Sequence, residues 1–390
     1  MRLIIVGAGI TGAACAYTAS ALGAQVTLID AERPGRATAA GAGIICPWTA
    51  AVDDPPWYDF ARTAAREYPA LIAALADQGE ADVSYRRVGA LLLTGTPDQP
   101  EQAQPEQAQP DQAQPDQPDA ADAARQRLAT RSAGAPEMGE VSLLDGAQAQ
   151  ELFPPLRPDA TAVHIPGAAR VDGRQLASAL VRAAARHGAT IRTGAATLGC
   201  RAGRVTGVSV DGDLVEADAV VAAAGAWTAG FAAPAGVTVP VVPQRGQIVH
   251  IGLDGADTSR WPVVLPSATG HYLLAFDGSR VVAGATREAG SGYDVRVTPA
   301  GLAEVLANAL SVAPGLSQGT LLETRVGLRP VGPDIRPLLG PVRGVDGLVV
   351  ATGLGATGLT MGPLAGAVAA RVALGLPPGV DLGPFDPIRS

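Results

Sequence analysis

The sequence predicts an α/β chain in which a parallel-sheet domain, assembled from discontinuous segments, carries an inserted domain built on a mixed or antiparallel sheet. Three observations predict it. A strand, a glycine turn, a helix and a second strand fill residues 1–30. A further strand, glycine loop and apolar helix, GLVVATGLGATGL followed by GPLAGAVAARVAL, close the chain. Between about 237 and 297 run short apolar strands broken by turns: VPVVPQRGQIVHIG, HYLLAF and SRVVAGAT.

The opening unit carries the first chemistry. Arg2-Leu3-Ile4-Ile5-Val6 reads as a buried parallel strand. Gly7-Ala8-Gly9-Ile10-Thr11-Gly12 follows at once, then a small-residue helix, then a strand from Ala24 to Ile29 that ends at Asp30. The first glycine makes the tight turn, the second lets backbone approach a pyrophosphate, and the third lets the helix lie close to the sheet. The helix N-terminus offers N–H groups and the positive end of a dipole to phosphates. Asp30, 18 residues after Gly12, stands where a carboxylate holds ribose hydroxyls. These features together point to a dinucleotide, and the alternative is a parallel sheet with a coincidental glycine turn.

Residues 57–79 have Trp57, Phe60, Ala64, Tyr68, Leu71 and Leu75 at helical spacing. From Pro97 to Asp119 the chain repeats proline, glutamine and acid, with no aromatic and no branched apolar residue. Such a segment cannot bury enough surface to offset its ordering entropy, and 97–140 reads as a mostly disordered insert. Residues 174–187 form a helix closed by Gly188, and the strands ATIRTG, RVTGVSV and ADAVVAAAG follow. The last of these returns the chain to the dinucleotide domain at Gly225. In the closing unit, Gly353, Gly355 and Gly358 precede a helix N-terminus, which supplies the N–H groups a flavin ring needs near N1 and O2 when it is reduced.

Composition sets limits. The net charge is −8, mostly from Asp98, Glu101, Glu106, Asp111, Asp116 and Asp119 in the repeat, which argues against nucleic acid. No apolar run reaches a membrane span, and three scattered cysteines, Cys15, Cys46 and Cys200, suggest neither a disulfide framework nor a metal site. A cytoplasmic enzyme is the expectation, with the oligomeric state left open.

At this point the residues resemble the D-amino-acid oxidase superfamily of FAD-dependent oxidoreductases. The resemblance rests on the N-terminal motif, Ala39 to Ile45, PVVPQRGQI at 240–248, RVGLRPVGPDIRPLLGP at 325–341 and GLGATGLTMGPLAG at 353–366, and it spans nearly the whole chain outside the repeat. It implies a glutathione-reductase-like Rossmann FAD domain over 1–84, 141–232 and 320–390, with a substrate domain over 85–96 and 233–319. It implies non-covalent FAD held by Gly7, Gly9, Ile10, Thr11, Gly12, Asp30, Ala31, Gly41, Gly43, Ile44, Thr197, Gly225, Gly353, Gly355, Ala356, Thr357 and Gly358.

The implied reaction is oxidative deamination of a small amino acid, a D-amino acid or glycine, to an imino acid and then a 2-oxo acid and ammonia. Oxygen or a quinone would take the electrons. A sarcosine-type secondary-amine oxidase is the close alternative, and a dinucleotide-binding module without turnover is the distant one. The arginine of the GLRP motif, here Arg329, would grip the substrate carboxylate, because guanidinium binds carboxylate bidentately. The same residue also fits a structural pairing with Asp334. Arg325 either supports the site or faces solvent. Tyr272 matches a substrate-facing tyrosine, and a half-buried strand aromatic fits it equally. His271 would point to the opposite face of that strand, so only one of the two should face the flavin. Trp48, Trp57 and Cys46 either wall the pocket or pack in the core. His164, His250, Glu323 and Asp172 read as structural.

Overall fold

The computed structural model describes residues 1–94, 120–267 and 269–389. A six-stranded sheet lies at the centre, in the order Leu338–Pro341, Leu348–Thr352, Ala219–Ala222, Arg2–Val6, Gln25–Asp30 and Thr190–Thr193. The neighbours from Leu348–Thr352 to Thr190–Thr193 all run parallel, and Leu338–Pro341 alone runs against its partner. Its central strands are buried on both faces, as their continuous apolar runs require.

The helices Ile10–Ala21 and Gly358–Ala373 cross tightly beside this sheet. The crossing depends on a missing side chain: a Cβ on Gly366 would lie 2.2 Å from the Thr11 carbonyl oxygen. The two glycine-turn units, far apart in sequence, thereby bring both helix N-termini to the same side.

An eight-stranded mixed sheet forms the second layer, in the order Thr320–Val331, Val242–Gly252, Arg280–Gly284, Tyr272–Phe276, Val263–Pro266, Ala90–Leu93, Ala162–Ile165 and Ser142–Leu144. Its composition moves three segments out of the expected FAD domain. Thr320–Val331 pairs along its length with Val242–Gly252, and Ser142–Leu144 and Ala162–Ile165 extend the far edge. A strand pattern says that a strand exists but not which sheet it joins.

The insert is also shorter than expected. Its repeat, 97–119, lies outside the described residues, but Ala120–Ser132 is a helix and Pro136–Met138 a helical turn. Ala124, Leu128 and Met138 are buried against Leu92 and Val263 of the mixed sheet. Arg131 donates to the carbonyls of Trp48, Ala50 and Val52 at 2.7–2.8 Å and lies over the Tyr58 ring. These tertiary contacts hold a helix whose own polar composition gives no amphipathic signal. Among the described residues no helix is long and apolar enough to cross a membrane.

Candidate active site

A single cavity of about 1410 Å³ runs between the two sheets. That exceeds the roughly 300–1,000 Å³ of an ordinary small-ligand pocket and leaves room for a large cofactor and a substrate together. At one end stands the first turn of the helix Ile10–Ala21, with Gly7, Gly9, Ile10, Thr11, Asp30 and Ala31 on the wall. Gly7 adopts φ +105°, and a Cβ on it would lie 2.4 Å from the Ala223 carbonyl oxygen. Asp30 accepts from the backbone N–H groups of Ala8 and Glu32 and from Arg36, so its carboxylate is held at the strand end, facing the cavity.

Gly41, Gly43 and Ile44 line the flank, with Thr197 and Gly225 opposite. Gly355, Ala356, Thr357 and Gly358 line the wall at the N-terminus of the second helix, Gly358–Ala373. Two expected residues stand behind the wall. A Cβ on Gly12 would meet the Gly7 carbonyl oxygen at 1.8 Å, and one on Gly353 would meet Leu338 at 2.8 Å. Both glycines keep the turns compact rather than face the cavity.

The opposite end is cationic. Arg329 sits on Thr320–Val331, opposite Gln244 of the neighbouring strand. Its Nη1 donates to the Thr286 carbonyl at 2.9 Å and to Gln244 Oε1 at 3.3 Å. Asp334, the structural partner weighed for it, is engaged by Arg389 and by the backbone N–H of Arg336. Among the described residues Arg329 has no carboxylate partner, although it lies on the cavity wall and burial pushes its pKa down. A guanidinium stays protonated there, so the site presents a half-buried cation without a carboxylate partner among the described residues. It lies flat over Gly246, whose absent Cβ would fall 2.6 Å from the guanidinium carbon.

Tyr272 lines the same end. Burial pushes its phenol up to about 12, against the pull of Arg329 and Arg287, so it is a neutral hydrogen-bonding group. His271 also lines the cavity, contrary to the alternation expected of a strand. The strand begins only at Tyr272, and His271 belongs to the turn before it, where alternation does not apply.

Cys46 and Trp57 reach the wall as well, whereas Trp48 does not. Burial pushes the Cys46 thiol up to about 11, which keeps it a neutral thiol. Arg325 is engaged by Glu323, and Asp172 caps the helix Gly173–Arg186, as structural residues do. Sequence reading missed Thr38, whose Oγ1 accepts from the Ile10 N–H, and Arg287. Neither sits in a patterned segment, so only the fold reveals them.

The residues fit FAD. Two helix N-termini face one cavity, one beside a ribose-type carboxylate and the other toward the end that carries Arg329.

Comparison with known proteins agrees with this geometry. The family model described as FAD dependent oxidoreductase matches residues 2–372. The chain is 44% identical over 98% of its length, and 98% of the relative's, to the uncharacterized oxidoreductase YurR of Bacillus subtilis (strain 168). Among solved structures it is similar to iminodiacetate oxidase (IdaA) from Chelativorans sp. BNC1, with a TM-score of 0.91, 47% identity and full coverage of both chains. It is also similar to glycine oxidase from Geobacillus kaustophilus, with a TM-score of 0.83 and 26% identity, covering 100% of this chain and 99% of the other.

Proposed function

That this chain belongs to the family of FAD-dependent oxidoreductases, and oxidises amino acids or amines, is the premise from which we propose its reaction: oxidation of the Cα–N bond of a small amino acid whose carboxylate is held by Arg329. When bound, FAD accepts the two electrons as a hydride from the carbon beside the nitrogen. The nitrogen loses its proton to solvent as the C=N bond forms. Water then adds to that carbon, giving a 2-oxo acid and the released amine or ammonia.

The observation that carries this reading is Arg329, a half-buried guanidinium on the cavity wall with no carboxylate of its own among the described residues. It awaits an anion from outside, and a planar carboxylate matches its fork. The Thr286 carbonyl and Gln244 fix one side of the guanidinium, so a substrate gripped there is held in one orientation. Tyr272, a neutral phenol on the same wall, would donate a hydrogen bond to the same carboxylate. Gly7 to Thr11, Asp30 and Gly355 to Gly358 hold the cofactor, without a covalent link from the neutral Cys46 thiol.

A secondary amine takes precedence over a primary one, because the identity to iminodiacetate oxidase, 47%, far exceeds that to the Geobacillus glycine oxidase, 26%. Anaerobic mixing of the purified flavoprotein with N-substituted glycines, glycine and D-amino acids tests the reading. Bleaching of the flavin by an N-substituted glycine is the expected outcome, and a flavin that none of them bleaches sinks it. Repeating the turnover with oxygen and with a quinone identifies the acceptor.

A further inference from the structure

We propose that Arg287 receives a second carboxylate, so that the preferred substrate is a secondary amine with an acidic group on each arm. This inference rests on the amino-acid reading above and narrows it. Arg287 lines the same end of the cavity as Arg329, Tyr272 and His271. The backbone joins the two cations closely: Arg329 donates to the carbonyl of Thr286, the residue just before Arg287. Arg287 itself donates to the carbonyl of Gly270 at 3.0 Å, which orients it along the segment leading to His271 and Tyr272.

No carboxylate among the described residues pairs with Arg287. The neighbouring acids are engaged elsewhere. Glu288 takes hydrogen bonds from Arg245, Gln247 and Thr286, and Glu304 lies 3.3 Å from His271 Nε2. Both guanidiniums face the same end of one cavity, an unfavourable arrangement unless anions join them; burial first, and then the charge of Arg287, pushes the Arg329 pKa down. A monocarboxylate relieves one of them. A dicarboxylate relieves both, with its nitrogen between them. Arg329 is half-buried and Arg287 is exposed, so the first carboxylate enters deeper and the second stays near the mouth.

The test compares substrates that differ by one carboxylate. Wild-type holoenzyme and the Arg287→Gln variant are assayed with iminodiacetate and with N-methylglycine. They are also titrated with glutarate and butyrate, which lack the oxidisable nitrogen, while the flavin absorption spectrum is followed. The expected wild-type preference for iminodiacetate, in kcat/KM, falls about tenfold or more in Arg287→Gln. The preference for glutarate over butyrate, read from the spectral shift, falls by a similar factor. A preference that survives in Arg287→Gln, or that collapses instead in the variant Arg127→Gln, a cavity-wall arginine on the helix Ala120–Ser132, overturns the assignment. Equal wild-type kcat/KM for the two amines overturns the dicarboxylate class but leaves amino-acid oxidation standing. An enzyme that neither amine reduces overturns both.

Discussion

At the scale of single residues, the proposed substrate end rests on one charge and one absent atom. Arg329→Ala removes charge-assisted hydrogen bonds of about 1.5–3 kcal/mol. The KM for the carboxylate substrate should rise about ten- to hundredfold, with the flavin spectrum kept, and unchanged kinetics would remove Arg329 from the site. Gly246→Ala tests the same cation from beneath. Its new methyl would fall 2.6 Å from the guanidinium, and the end of a flexible side chain gives way more readily than backbone. The fold should therefore survive while Arg329 moves, and KM should rise in the direction of Arg329→Ala. A Gly246→Ala enzyme with wild-type KM would show that the position of Arg329 over Gly246 does not matter to binding.

At the scale of elements, legibility followed locality. The opening strand–turn–helix was readable because its glycines fall in one short run between strand and helix, and the closing unit repeats that run, although the contacts that demand Gly7 and Gly366 come from Ala223 and Thr11. The motif around Arg329 singled it out, and the structure puts it on the cavity wall. Arg287 was not singled out, because its meaning comes from a cavity formed by segments hundreds of residues apart. The helix Ala120–Ser132 was lost for a related reason: it is held by packing and by Arg131, not by its own periodicity. Arg131→Ala leaves the carbonyls of Trp48, Ala50 and Val52 without their donor. The expected loss is about 2 kcal/mol, a few degrees of Tm in a chain of this size. Those carbonyls belong to the segment that gives Cys46, Thr49 and Ala50 to the cavity wall, so KM should rise as well. An unshifted Tm would mean that Ala124 and Leu128 alone hold the helix.

At the scale of the whole molecule, two buried groups set how stability responds to acid. His250, on a central strand of the mixed sheet, is 1% exposed. Burial pushes its imidazole down to about 4, helped by Arg325, Arg280 and Arg174 and opposed by Glu323. The unfolded chain thus binds a proton that the folded chain refuses, and stability falls as pH drops from about 6.5 to about 4. Glu80 behaves oppositely in charge but alike in consequence. Hydrogen bonds from Arg182 and Arg186 hold its carboxyl at about 2, tying the end of the helix Pro55–Ala76 to the helix Gly173–Arg186. Its contribution is complete above the unfolded value near 4.5 and is lost as pH falls from there toward 2. With both arginines about half exposed, that contribution is about 2 kcal/mol. Melting temperature measured against pH should therefore decline in two successive windows. His250→Gln should flatten the upper window and Glu80→Gln the lower, with the Glu80→Gln deficit largest near neutrality and shrinking in acid. A Glu80→Gln deficit that stays constant from pH 7 to pH 2.5 would show that the cluster stabilises by packing rather than by charge.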